Sequence, residues 1–138
     1  MIQIFYIYSD WAILVLRLAL AAILIAHGWP KIKNLKATAQ NFDGMGFKPG
    51  RFWGTVVAVA EFGGGILLLI GLFTQIAAFV LAIQFAVILI WKLRQKQKLV
   101  NMGGQSYELD LIIFAALLIL MTVGSSFYAA DNFFNPIF

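Results

Sequence analysis

Four apolar stretches govern what this chain can fold into: Trp11 to Trp29, Phe52 to Leu72, Gln75 to Trp91, and Glu108 to about Phe127. Each is close to the ~20 residues with which a helix crosses ~30 Å of hydrocarbon, and none is long enough to cross twice. Hydrocarbon offers backbone groups no water to bond, so a spanning segment is either a helix or part of a closed barrel. A barrel needs polar and apolar residues to alternate with period two, and that pattern is absent. The expected fold is therefore all-α: an integral membrane four-helix bundle, a single transmembrane domain over residues 1–138.

Composition separates this reading from a soluble fold with buried core helices. Hydrophobic residues make up 62% of the chain and charged residues 12%, against roughly 45–50% apolar in soluble domains. Sixteen formally charged side chains cannot cover a soluble surface, so the remainder must face lipid. There is no cysteine, which excludes disulfides, thiol relays and thiolate-held metals. One histidine and scattered carboxylates do not supply the ligand cluster of a metal centre. The excess of basic residues lies in loops beside the spans, where positive-inside orientation and anionic headgroups account for it, so nucleic acid is not an expected partner.

Lys31, Lys33, Lys36, Lys48 and Arg51 fall in the first loop, and Lys92, Arg94, Lys96 and Lys98 in the second. The segments expected on the other side, Met1 to Asp10, the link at Phe73 and the tail from Tyr128, carry no lysine or arginine. The rule that basic loops stay in the cytoplasm then places both termini outside. Met1 to Asp10 also lacks the basic start of a signal peptide and is expected to stay in the mature protein. Within the first loop, Ile32, Leu35, Ala39 and Phe42 recur at helical spacing, with polar residues opposite. This predicts a short interfacial helix after the first span, ending before Asp43-Gly44-Met45-Gly46. Pro30 is expected to end span one, Gly71 and Phe73 to Gln75 to form a tight hairpin, and the stretch Gly103 to Ser106 to be polar and mobile.

Ionisable residues inside a span need a partner or a wet cavity. Arg17 in span one and Glu61 in span two lie, by their distance from the span midpoints, about 6 Å apart in depth at ~1.5 Å per residue, and are expected to form a bridge. Gln84 of span three is at similar depth and can join them. Small residues share stripes with both charges, Gly54, Ala58 and Gly65 with Glu61, Ala21 and Gly28 with Arg17, which predicts close helix contact. Such a set serves either as a ligand or proton site or as an ion pair that fixes helix packing. A second, inner polar layer is expected from His27 and Glu108. Glu108 and Asp110 differ by about 200° around a helix, and Glu108 is taken as the inward one. Gly63-Gly64-Gly65 lies within an apolar span and suits tight packing or a kink, not phosphate binding.

The order of these residues resembles the DoxX family of small four-helix membrane proteins over nearly the whole chain. The resemblance rests on Arg17, His27-Gly28-Trp29-Pro30-Lys31, Gly46 with Pro49, Glu61-Phe62-Gly63-Gly64-Gly65 through Gly71-Leu72, and Glu108. The family's usual ending, Gly-Pro-Gly followed by aspartate, is here only Gly124-Ser125-Ser126 with Asp131. The resemblance implies a redox-associated subunit with no covalent cofactor, whose bundle receives a quinone or similar lipid-soluble molecule. In that picture Arg17 donates to a carbonyl oxygen, Glu61 orients the ligand or handles a proton, and a redox enzyme is the partner. The alternatives are a non-catalytic anchor or assembly subunit, a small-molecule or proton transporter, which four short spans would build as a homo-oligomer, and a protein that recognises lipid or cargo.

Overall fold

A computed structural model describes residues 4–126 and 128–134. Phe127, taken above as the end of the fourth span, and both chain ends lie outside the described residues. The chain forms a single 3₁₀ turn, Tyr6–Tyr8, and helices α1 (Ser9–Lys33), α2 (Leu35–Gly44), α3 (Gly50–Ile70), α4 (Thr74–Arg94), α5 (Glu108–Val123) and α6 (Asp131–Phe134). No strand occurs among the described residues. Among the described residues three segments are long and apolar enough to cross a membrane: Tyr6–Lys33, Gly50–Ile70 and Thr74–Arg94. Val15, Val59, Ile76 and Ile83 are more than half exposed on their outer faces, surface that only a bilayer can solvate in such density.

The helices pack in the order α1, α3, α4, α5, with α2 laid against α3. Leu24, Leu68, Leu81, Leu117 and Leu120 meet at the centre and are fully buried. The α1–α3 contact is the closest. A Cβ added at Gly28 would sit 2.6 Å from the backbone nitrogen of Phe62, and one at Gly65 would sit 2.9 Å from the Ile25 side chain. Small residues at this contact let the two backbones approach, as the stripes predict. Gly64 packs on Leu81 of α4, whereas Gly63 faces open space, and α3 runs through all three glycines without a break.

Pro30 does not end α1. The helix continues one further turn to Lys33, and the Pro30 carbonyl accepts from Asn34 N at 3.2 Å. In the last turn the ring removes a single N–H, a loss the packed helix tolerates. The stop comes at Asn34, whose side chain accepts from Ala37 N at 3.1 Å and so caps α2. The ten-residue helix expected in the first loop is present, although it ends at Gly44 rather than before Asp43. It is tied to the end of α1 by Thr38 Oγ1, which donates to the Lys31 and Asn34 carbonyls at 3.2 and 3.0 Å. Asp43 Oδ1 accepts from Gly50 N at 2.8 Å and thereby caps α3.

The α3–α4 link is Gly71 to Phe73, with Gly71 at φ 71°. At this end, called here the tail end, the chain after α5 folds back over the helices. Ala130 N and Asp131 N donate to the Ile70 and Gly71 carbonyls at 2.9 and 2.8 Å. Asp131 in turn accepts from Phe73 N at 2.6 Å and Thr74 N at 3.0 Å, so a carboxylate caps the amino end of α4 from a distant part of the sequence. The opposite, basic end holds α2 and the loop between α4 and α5. That loop carries a bridge between Lys98 and Ser106.

The glycine geometry separates two neighbouring substitutions. Gly28→Val would push α1 from α3 and is expected to destabilise by about 1–3 kcal/mol, read as a lower thermal midpoint in detergent. Gly63→Ala meets nothing and gains helix propensity, so its midpoint should equal or exceed that of the parent chain.

Candidate ligand-binding site

Glu61 is 1% exposed, and its carboxylate is held from two helices. Lys31 Nζ donates to both oxygens, at 2.8 and 2.7 Å, and Gln84 Nε2 donates to Oε1 at 2.8 Å. The residues reach one another because Lys31 extends the inward stripe of α1, through Leu24 and Gly28, one helical step past Pro30. The carboxylate's hydrogen-bonding capacity is thus met from α1 and α4, and its formal charge faces the ammonium of Lys31.

The expected Arg17–Glu61 bridge does not form. Arg17 is equally buried, 1% exposed, but it donates to the carbonyls of Ser125 and, at 2.8 Å, Tyr128. Its guanidinium lies against Gly71, a helical rise of roughly 15 Å from Glu61 at ~1.5 Å per residue. The depth argument fails because α1 and α3 are staggered. Gly28 meets Phe62, so Glu61 lies near the carboxyl end of α1, and the first turns of α3 pack on α2. Arg17 is thus a clasp for the returning tail, and Gly71 leaves it room: a Cβ there would come within 2.5 Å of Ala129 and 2.9 Å of the guanidinium.

The Lys31, Glu61 and Gln84 set forms one wall of a cavity of about 610 Å³ among α1, α3, α4 and α5 at the basic end, within the size range of small-molecule sites. Its other walls are mostly apolar: Leu24, Val57, Ala60, Phe85, Ile88 and Ile113. Phe42, Met45 and Phe47 close it from the α2 side. That roof is fixed by Trp91, whose Nε1 donates to the Met45 carbonyl at 2.9 Å and whose ring packs on Phe47. A second ion pair, Lys92 with Asp110, borders the cavity and ties α4 to α5, while Lys92 also donates to the Ser106 carbonyl at 3.1 Å.

His27 lines the same cavity, but Glu108 does not: it is exposed, and no hydrogen bond or ion pair joins it to His27 among the described residues. Asp110 is the inward carboxylate. The 200° argument was right in allowing only one of the two to face inward, and Lys92 on α4, taken above as a loop residue, decides which. Lys31 and Lys92 were missed because both were counted as loop charges. Continuing the Leu24 and Gly28 stripe by three residues finds Lys31. No comparable sequence signal marks the Trp91 to Met45 bond, which joins a side chain to a distant carbonyl.

Fold and site together define a class: an all-α, multi-pass membrane protein with a largely apolar cavity among its helices. The chain belongs to the DoxX family, whose model matches residues 12–93. It is similar to the inner membrane protein YqjF of Escherichia coli (strain K12), 29% identical over 127 residues that cover 92% of this chain and 95% of that protein. It is also similar to a Bacillus subtilis (strain 168) protein named "Putative oxidoreductase CatD", 32% identical over 122 residues that cover 87% of this chain and 84% of that one. No solved structure matches.

Removing one member of the buried pair leaves the other uncompensated. Lys31→Met is expected to cost about 3–5 kcal/mol, while the double change Lys31→Met with Glu61→Met should recover much of that loss. Thermal unfolding of the three proteins in one detergent measures the difference. Arg17→Met should instead expose the segment after Val123 to limited proteolysis and leave the cavity end protected.

Proposed function

We propose that this chain is a redox-associated membrane subunit whose cavity receives a quinone or a similar lipid-soluble molecule. The observation that carries the reading is the hydrogen-bonded Lys31, Glu61 and Gln84 set on the wall of a largely apolar cavity. The basic and acidic groups on the walls pair off, Lys31 with Glu61 and Lys92 with Asp110. Such walls suit a neutral molecule with a polar end better than a free ion. An ammonium has three N–H groups; Glu61 takes two from Lys31, and the third is available to a ligand carbonyl. That moves the donor role from Arg17, which the tail occupies, to Lys31.

Reduction of a quinone to a quinol takes two electrons and two protons. In this reading a redox partner supplies the electrons. The chain supplies the seat and, through Lys31, Glu61 and His27, the groups that pass protons at the ligand oxygen. The name of the Bacillus subtilis relative supports an oxidoreductase setting.

The same reading takes the chain across the membrane four times. The sixteen residues of α5 rise about 24 Å at ~1.5 Å per residue, and local bilayer thinning accommodates a span this short. The nine lysines and arginines outside Arg17 all belong to the basic end, which supports reading that end as cytoplasmic and both termini as outside. The helix α2 then lies at the cytoplasmic interface.

The test is mass spectrometry of organic extracts from protein purified in mild detergent. Quinone should be enriched in the parent chain, lost in Glu61→Gln and Lys31→Met at matched folding, and kept in Arg17→Gln. No enrichment over a control membrane protein would transfer the assignment to an anchoring subunit.

A further inference from the structure

The cavity has an edge that faces the bilayer. α3 and α4 are joined at the tail end and meet midway at Gly64 against Leu81, and nearer the basic end both line the cavity. Trp53, Val56 and Ala60 of α3, and Val80, Ile83 and Val87 of α4, all line the cavity. All but Ala60 are also exposed on the outside of the protein, Ile83 by 52%. Residues that face a cavity and the surroundings together mark its mouth. The outer face of α3 adds a second observation: a groove along Phe52, Thr55 and Val59 shares Val56 and Ala60 with the cavity. Groove and cavity thus lie on either side of the same α3 residues. The six mouth residues carry no charge, although the groove itself reaches Arg51, and they lie within two helices of membrane-spanning length and hydropathy.

We infer that the gap between α3 and α4 is a lateral portal, and that the occupant is a tailed amphiphile. Its compact, uncharged polar head sits at Lys31, Glu61 and Gln84, and its hydrocarbon tail passes between Val56 and Ile83 into the bilayer. This rests on the reading of the cavity as a ligand seat and adds the route and the shape of the ligand. The chemistry of the two ends argues for it. The head end offers hydrogen bonds within a neutral wall, whereas the mouth offers only apolar side chains and the indole of Trp53. A small polar solute would find no hydrogen-bonding path there, but a molecule already dissolved in the membrane would not have to leave it.

The chain has no cysteine, so one introduced thiol can be labelled alone. A fluorophore at Ile88→Cys, on the cavity wall, is compared with one at Val59→Cys, facing lipid, and one at Gln97→Cys, in the loop. Each protein is reconstituted in phosphatidylcholine vesicles with or without bromine on the acyl chains. Quenching at Ile88 that approaches the Val59 level, and falls when Ala60→Phe and Val80→Phe narrow the mouth, supports the portal. Quenching at Ile88 no greater than at Gln97 overturns it, whatever the extracts contain. A second arm measures retention of a decyl-tailed benzoquinone and of the tailless ring. A preference for the tailed form of at least about tenfold, reduced by the two phenylalanines, supports the tailed occupant; equal retention of both overturns it. Loss of all quinone binding with strong quenching at Ile88 would retire the quinone and leave the portal standing.

Discussion

The rest of the structure depends on the close approach of α1 and α3 at Gly28 and Gly65. Because Gly28 lies on the backbone of Phe62 and Gly65 on Ile25, the two helices are locked in an antiparallel register that neither length nor hydropathy would choose. The register brings the last turn of α1 to the level of Glu61, and it carries Arg17 to the level of Gly71. Lys31 therefore meets the carboxylate, and Arg17 meets the returning tail. A shift of one turn, about 5.4 Å, would part Lys31 from Glu61 and leave a charge in hydrocarbon. Close packing and charge pairing thus select the same register. Their agreement is what a sequence with one preferred structure requires.

The two buried charges are satisfied by different means, and the difference assigns them different work. The guanidinium of Arg17 donates to backbone carbonyls after α5, groups that hydrocarbon would otherwise leave unbonded at a point where regular helix has ended. It solves a problem of chain closure. Glu61 is matched by a lysine whose side chain keeps about a third of its surface open, 31% against 2% for the carboxylate. One partner is sealed and the other faces a cavity. A pair that served packing alone would gain by closing over both members, since a half-open pair keeps much of the desolvation cost of burial without excluding competing contacts.

The elements were legible in the sequence because their signals are local. Apolar length marked the long helices, three of them long and apolar enough to span a membrane, helical spacing of Leu35, Ala39 and Phe42 marked α2, and Gly71 marked the hairpin. Glu61 and Gln84 were legible as a set because both carry polar groups at one depth of apolar spans. The pairing of Arg17 was not, because depth was measured from span midpoints and the stagger of α1 against α3 depends on where small residues meet, which is a property of two helices at once. Pro30 misled for a related reason: its propensity marks a boundary, but packing of the last turn on α2 and α3 outweighs the one hydrogen bond it removes. Asp110 was passed over for Glu108 because the choice between two carboxylates 200° apart was made by Lys92, on another helix.

The cavity follows from the same constraints. A three-residue link holds α3 and α4 together at the tail end, and Asp131 and Arg17 brace that end with the returning chain. At the basic end Lys31 and Gln84 draw α1 and α4 to Glu61 on one side of the cavity. α2 lies across α3, Trp91 holds the turn after α2 at a distance from the core, and Lys92 with Asp110 sets the spacing of α4 and α5. Each of these contacts connects elements around a space instead of filling it. The walls are mostly large apolar side chains, and the Lys31, Glu61 and Gln84 set breaks them on one side. The fold therefore braces one end with the returning chain and surrounds the cavity at the other with contacts between helices, and the same asymmetry puts Arg17 under the tail and the Lys31–Glu61 pair on a cavity wall.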